Sequence, residues 1–122
     1  MTNRAEQITE VLERLVSSSS EIEGAALVTV DGLALASVLA GGSDEDRVSA
    51  MAAAMLAMGE RTVSELRRGT LEQVFVKGNG GYVLLMQAGS ETVLETISRS
   101  SARLGLVLLE MKDAARALAR LA

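Results

Sequence analysis

Residues 49–59 read SAMAAAMLAMG, a stretch that is small or apolar on every side of a helix. An ordinary surface helix keeps one face polar, so a helix that is apolar all round needs cover on two sides. A sheet of the same domain can supply one of them. In a chain of 122 residues, the size of one domain, the second side calls for a partner surface. A symmetric pairing of two copies is the default way to provide it. Alanine and glycine let backbones approach closely, and Met51, Met55 and Met58 fill irregular gaps. The alternatives are a helix buried wholly within one chain, or one that simply tolerates alanine.

The ends of this helix are marked. Gly41-Gly42 breaks the chain before it. Ser43 is placed as the N-cap, with Asp44, Glu45 and Asp46 in the first turn, where acids suit the helix dipole. The helix is expected to run to about Arg68 and stop at Gly69, with Arg67 and Arg68 at its negative end.

Around it the pattern reads α-β-β-α-β-β-β-α. Ile8, Val11, Leu12, Leu15 and Val16 form one stripe over residues 3–16, and Asn3 with Glu6 resembles a capping pair. Residues 25–30 and 33–39 are short apolar runs separated by Asp31-Gly32, which predicts a two-residue type I′ hairpin with positive φ at both central positions. Residues 71–77, 81–88 and 91–98 read as three further strands joined by Asn79-Gly80-Gly81 and Gly89-Ser90. The middle one, GYVLLMQA, is apolar on both faces, as at the centre of a covered sheet. Residues 101–122 form a last helix, with Leu104, Leu108, Met111, Ala115 and Leu118 on one stripe and Lys112, Asp113, Arg116 and Arg120 facing water. These elements predict one α+β domain over residues 1–122: a five-stranded antiparallel sheet with helices on both faces.

Composition narrows the chemistry. Cysteine, histidine and proline are absent. That removes thiol nucleophiles, Cys/His zinc sites and imidazole bases. Phe75 and Tyr82 are the only aromatic residues, too few for a stacking site. The net charge of −4 argues against a nucleic-acid backbone binder. No stretch is long enough to span a bilayer, and the polar MTNRAEQITEVLERL is not a signal peptide, so a soluble cytoplasmic protein without membrane insertion is expected.

Each candidate for chemistry has a plainer explanation. Asp31 is accounted for by its turn. Asp44, Glu45 and Asp46 lack the alternating spacing of an EF-hand loop and point in different directions on a helix. The glycines of KGNGGYV lead into a strand, without the Gly-Lys-Ser/Thr and helix of a phosphate loop. No G-x-S-x-G elbow occurs, and nothing ties Lys77 or Lys112 to a serine. Arg47, Arg61, Arg67 and Arg68 could act as arginine fingers in trans, but exposed helix arginines ordinarily only solubilise. No catalytic residue, cofactor or metal site is expected.

Three stretches carry a family resemblance: GAALVTVDGLALAS at 24–37, the alanine-rich helix around Met51–Met58, and SARLGLVLLEMKDAARAL at 101–118. With the strand GYVLLMQAG, they make nearly the whole chain resemble the roadblock/dynein light chain family of longin-like folds, and within it the bacterial gliding-motility (MglB) type. The resemblance implies a homodimer, with second helices side by side and third strands paired, here residues 44–68 and 71–77. It also implies binding of a Ras-like small GTPase on the paired helices, with activation by reshaping the GTPase's own switch regions.

Carried over by position, the dimer seam draws on Met51, Ala54, Met55, Met58, Thr62, Val74 and Val76. The GTPase-facing surface draws on Arg47, Glu60, Arg61, Ser64, Glu65 and Arg68. Some gliding-type members carry a further C-terminal extension, whereas this sequence stops at Ala122, so activities tied to such an extension are not carried over.

The leading expectation is therefore a dimeric regulator of a Ras-like GTPase, linked by the resemblance to motility and cell polarity. The alternatives are a scaffold or adaptor subunit that leaves GTP turnover alone and, ranked below it, a PAS-like small-molecule sensor. The sensor needs a polar-lined cavity, for which Gln73, Tyr82 and Gln87 are the candidates.

Overall fold

Asn3 caps the first helix as its spacing to Glu6 predicts: the Glu6 amide donates to Asn3 Oδ1 at 2.8 Å, and Asn3 Nδ2 donates to Glu6 Oε1 at 3.0 Å. The computed structural model describes residues 3–121, so Met1, Thr2 and Ala122 lie outside it. The elements follow the predicted order: α1 (Arg4–Ser17), β1 (Ile22–Thr29), β2 (Ala34–Val38), α2 (Glu45–Glu65), β3 (Gln73–Gly78), β4 (Gly81–Gln87), β5 (Thr92–Arg99) and α3 (Leu104–Leu121).

The strands form a five-stranded sheet in the order β2-β1-β5-β4-β3, every pair antiparallel. The β1–β2 hairpin and the β3–β4–β5 meander are joined by β1 pairing with β5, where Leu27 lies opposite Leu94 and Ala26 opposite Glu95. That non-local pairing makes β5 the central strand, where the sequence placed β4. It leaves β3 as an open edge.

Helices cover both faces. On one, α1 and α3 pack with Ala25 and Leu27 of β1, Leu84 and Met86 of β4, and Leu94 of β5. On the other, Ala52 and Leu56 of α2 meet Ala26, Val28, Leu85 and Val93. The alternation of β1 explains this, since successive side chains of a strand point to opposite faces. The two layers are unequal. The α2 layer buries only Ser49, Ala52 and Leu56 of its helix.

Three local details differ from the sequence reading. The Asp31-Gly32 connection is a three-residue loop, not a two-residue type I′ turn. The Gly32 amide donates to the Thr29 carbonyl at 3.0 Å, the Thr29 amide donates to the Leu33 carbonyl at 2.8 Å, and Gly32, with φ 94°, is the residue of positive φ there. This is a type I turn closed by a left-handed glycine, which matches strand twist without asking Asp31 for positive φ. The N-cap of α2 is Asp44, not Ser43: its side chain accepts from the Arg47 amide at 3.2 Å. A carboxylate there satisfies a free helical N–H and meets the dipole as well.

The third difference is the end of α2, which comes at Glu65 and not at Arg68. Arg67 takes the left-handed conformation, φ 55°. Its amide donates to the Ser64 carbonyl at 3.2 Å and the Arg68 amide to the Val63 carbonyl at 2.7 Å. That hydrogen-bond pair is the Schellman closure, built here on an arginine where glycine is usual.

Candidate functional site

The narrow buried stripe of α2 leaves the rest of SAMAAAMLAMG open. Met51 and Met58 are 52% and 63% exposed. Beside them the outermost strand is equally bare, with Val76 44% exposed. The helix and the open edge enclose two adjoining apolar recesses. One, a cleft of about 420 Å³, is lined by Met51, Ala54 and Met55 from the helix and by Val76, Val83 and Ile97 from the sheet. The other, about 400 Å³, is lined by Met55, Met58, Gly59 and Thr62 above and by Val74 and Phe75 below. A large open apolar patch on a small domain marks a surface that expects cover.

All seven residues assigned to a dimer seam line these two recesses, with Met55 shared between them. Gly59 explains how closely the helix lies on the edge: a Cβ built there would stand 2.9 Å from Val74 Cγ2 and 3.2 Å from Leu71 Cδ2. The small residue is a packing requirement, not a helix preference.

The six polar positions assigned to a GTPase are all exposed, but they do not form one cluster. Arg47 lies in the first turn of α2, while the others lie in its last turns or just beyond, about 20 Å along a helix that rises 1.5 Å per residue. Glu60 turns away from the seam and lines a separate recess with Val30, Leu71 and Gln87. Of the polar candidates for a sensor cavity, Gln73 and Gln87 line that same small recess, while Tyr82 lies apart from it. Gln87 is exposed, and Tyr82 packs with the α1/α3 layer, in tilted contact with Phe75 at 5.4 Å between ring centroids.

Asp31 is exposed in its turn, and Glu45 accepts from Ser37 Oγ. Among the described residues, no group of three or more acidic side chains is placed to hold a metal ion. None of their helices is long and apolar enough to cross a membrane.

One residue went unnoticed in the sequence. Glu95 sits on the floor of the first cleft, 4% exposed, and its Oε1 has no hydrogen-bond partner among the described residues. Burial pushes its carboxyl from the ordinary 4.5 up to about 7, because ionisation there loses hydration without gaining a cation. The signal was an acid within TVLETISR, flanked two residues either way by Val93 and Ile97. Its meaning depended on β5 being central.

Comparison with known proteins agrees with this architecture. An uncharacterised protein of Methanocaldococcus jannaschii is 39% identical over 100 residues, covering 82% of this chain and 87% of its own. The solved structure of the gliding protein MglB from Thermus thermophilus superposes with a TM-score of 0.86 at 25% identity, covering 100% of this chain and 93% of that one. A structure of MglB with a tetrameric arrangement gives 0.88 at 25% identity, covering 100% and 92%. Residues 8–98 match the Roadblock/LC7 domain, and the chain belongs to that family.

Proposed function

We propose that this chain is a single roadblock domain acting as a homodimeric, cytoplasmic regulator of a Ras-like small GTPase. Two α2 helices lie side by side, two β3 strands pair across the dyad, and the outer surface of the paired helices receives the GTPase. The observation that carries this reading is the coincidence of a bare apolar helix face and an open strand edge in one place. A dimer built there covers both at once, adding main-chain hydrogen bonds to apolar burial. The likeness to MglB supports the choice of partner, and the MglB structure with a tetrameric arrangement supports self-association. The chain contributes no catalytic group of its own and acts by reshaping the GTPase's own switch regions.

Sedimentation across a dilution series tests the dimer: a monomer at micromolar concentration would sink it. Phosphate release from the Ras-like GTPase of the same cell, with and without the chain, tests the regulation. Binding without acceleration favours the second reading, a docking or scaffold subunit. The scatter of the six polar positions along α2 is the observation that supports that alternative.

A further inference from the structure

Among the described residues, Glu95 is the only charged one lining the cleft between α2 and the sheet. The charged groups of every neighbouring element are directed elsewhere. On α2, Glu45 accepts from Ser37, and Asp46, Arg47, Glu60, Arg61 and Glu65 are exposed without lining the cleft. On β3, Lys77 lies over the Tyr82 ring, 5.7 Å from its centroid. On β5 itself, Arg99 Nε donates to the Ser20 carbonyl. On β1, Glu23 is exposed, and β4 carries no charge. Among these groups Glu95 therefore has neither a counter-ion nor a hydrogen-bond donor for Oε1.

The cleft is open on the side where, in the dimer read above, the partner's α2 comes down. We propose that Glu95 is a proton-operated latch beneath the dimer seam: protonated, it lets the second copy's apolar helix close over the cleft, and ionised, it opposes closure. This rests on the proposed dimer, and the occupant is a second copy of this chain.

The linkage has a definite sign. A partner of apolar lining removes the remaining hydration and supplies no cation, so the carboxyl holds its proton more tightly in the dimer than in the monomer. Dimerisation is therefore coupled to proton uptake. Affinity is highest below the monomer's titration near 7 and falls as pH rises through it. Two copies of Glu95 titrate per dimer, which steepens the fall.

Sedimentation of the full chain over a dilution series, at about pH 6 and about pH 8.5, reads this directly. Wild type is expected to show a dimer Kd that rises by about tenfold or more between the two. Glu95→Gln, which keeps shape but cannot ionise, should hold a tight Kd at both. Carbon-13 NMR of the Glu95 carboxyl in wild type gives a second reading, because its titration midpoint should rise with protein concentration. A dimer whose Kd ignores pH, or a Glu95→Gln variant with the same pH dependence as wild type, overturns the latch and leaves the dimer standing. A chain that is monomeric at both pH values in both forms overturns the dimer and the latch together. If Glu95→Gln fails to fold, the wild-type Kd and the NMR midpoint decide alone.

Discussion

The Arg68 amide donates to the Val63 carbonyl at 2.7 Å, closing α2 one step after Arg67 has turned left-handed. A side chain at that step carries a steric penalty that glycine lacks. Replacing Arg67 by Gly should raise stability by about 0.5–1 kcal/mol, net of glycine's greater freedom in the unfolded chain. Arg67→Val, β-branched, should lower it. Urea unfolding of the three proteins checks the order.

Gly81 sits where β4 leaves its turn, with φ 153°, and a Cβ there would lie 2.3 Å from the Ser98 carbonyl oxygen. The obstacle is backbone of the central strand and cannot swing aside. Gly81→Ala should cost about 2 kcal/mol or more, by strain at a special backbone position. Thermal unfolding reads it, and Gly80→Ala, which meets nothing within 4 Å, is the control.

Met58 is exposed in one subunit and lies in the middle of the proposed seam. Met58→Glu should leave the monomer fold intact, since water already reaches the site. In a dimer it places two unpaired carboxylates against apolar partners, a penalty of several kcal/mol. The expected result is a Kd weakened by about a hundredfold or more, with an unchanged far-UV circular dichroism spectrum. Loss of structure along with the dimer would contradict the claim that the two are separable.

Glu95 also links fold stability to pH. Its carboxyl titrates near 7 when folded and near 4.5 when free. The folded state therefore holds a proton that the unfolded state has lost between those values. Stability from this group is fully present below about 4.5, declines as pH rises toward 7 and is flat above. The total is on the order of 3 kcal/mol. Glu95→Gln should flatten that decline and be the more stable form at pH 8. Denaturation of a dilute sample, where association is negligible, isolates this effect.

The parts of the molecule legible in the sequence are those set by local pattern. Alternation and glycine placement show five strands, and the stripes of Ile8–Leu15 and Met111–Leu118 show two amphipathic helices, which the structure packs together on one face. The bare face of α2 was equally readable, because small and apolar side chains all round a helix cannot all be covered by one sheet, and Met51 and Met58 are indeed exposed. What was not legible depended on non-local pairing. Nothing near Glu95 in the chain says that β1 will pair with β5, and without that pairing an acid in TVLETISR reads as facing water. The end of α2 failed for a different reason. Gly69 is the obvious stop, but the helix closes at Arg67 because the Ser64 and Val63 carbonyls find their partners there first.

The open edge of β3 presents main-chain groups, and every polypeptide has those. Strand addition at such an edge discriminates among partners poorly. Lys77 is the only charge in the strand, and it lies over Tyr82 on the α1/α3 face, away from the helix that would greet a newcomer. In the proposed dimer, choosing the right neighbour therefore falls to the methionines and alanines of α2, whose shapes must match before the strands can meet. A cell holding several chains of this kind would sort its pairs by helix surface, while the sheet supplied the grip.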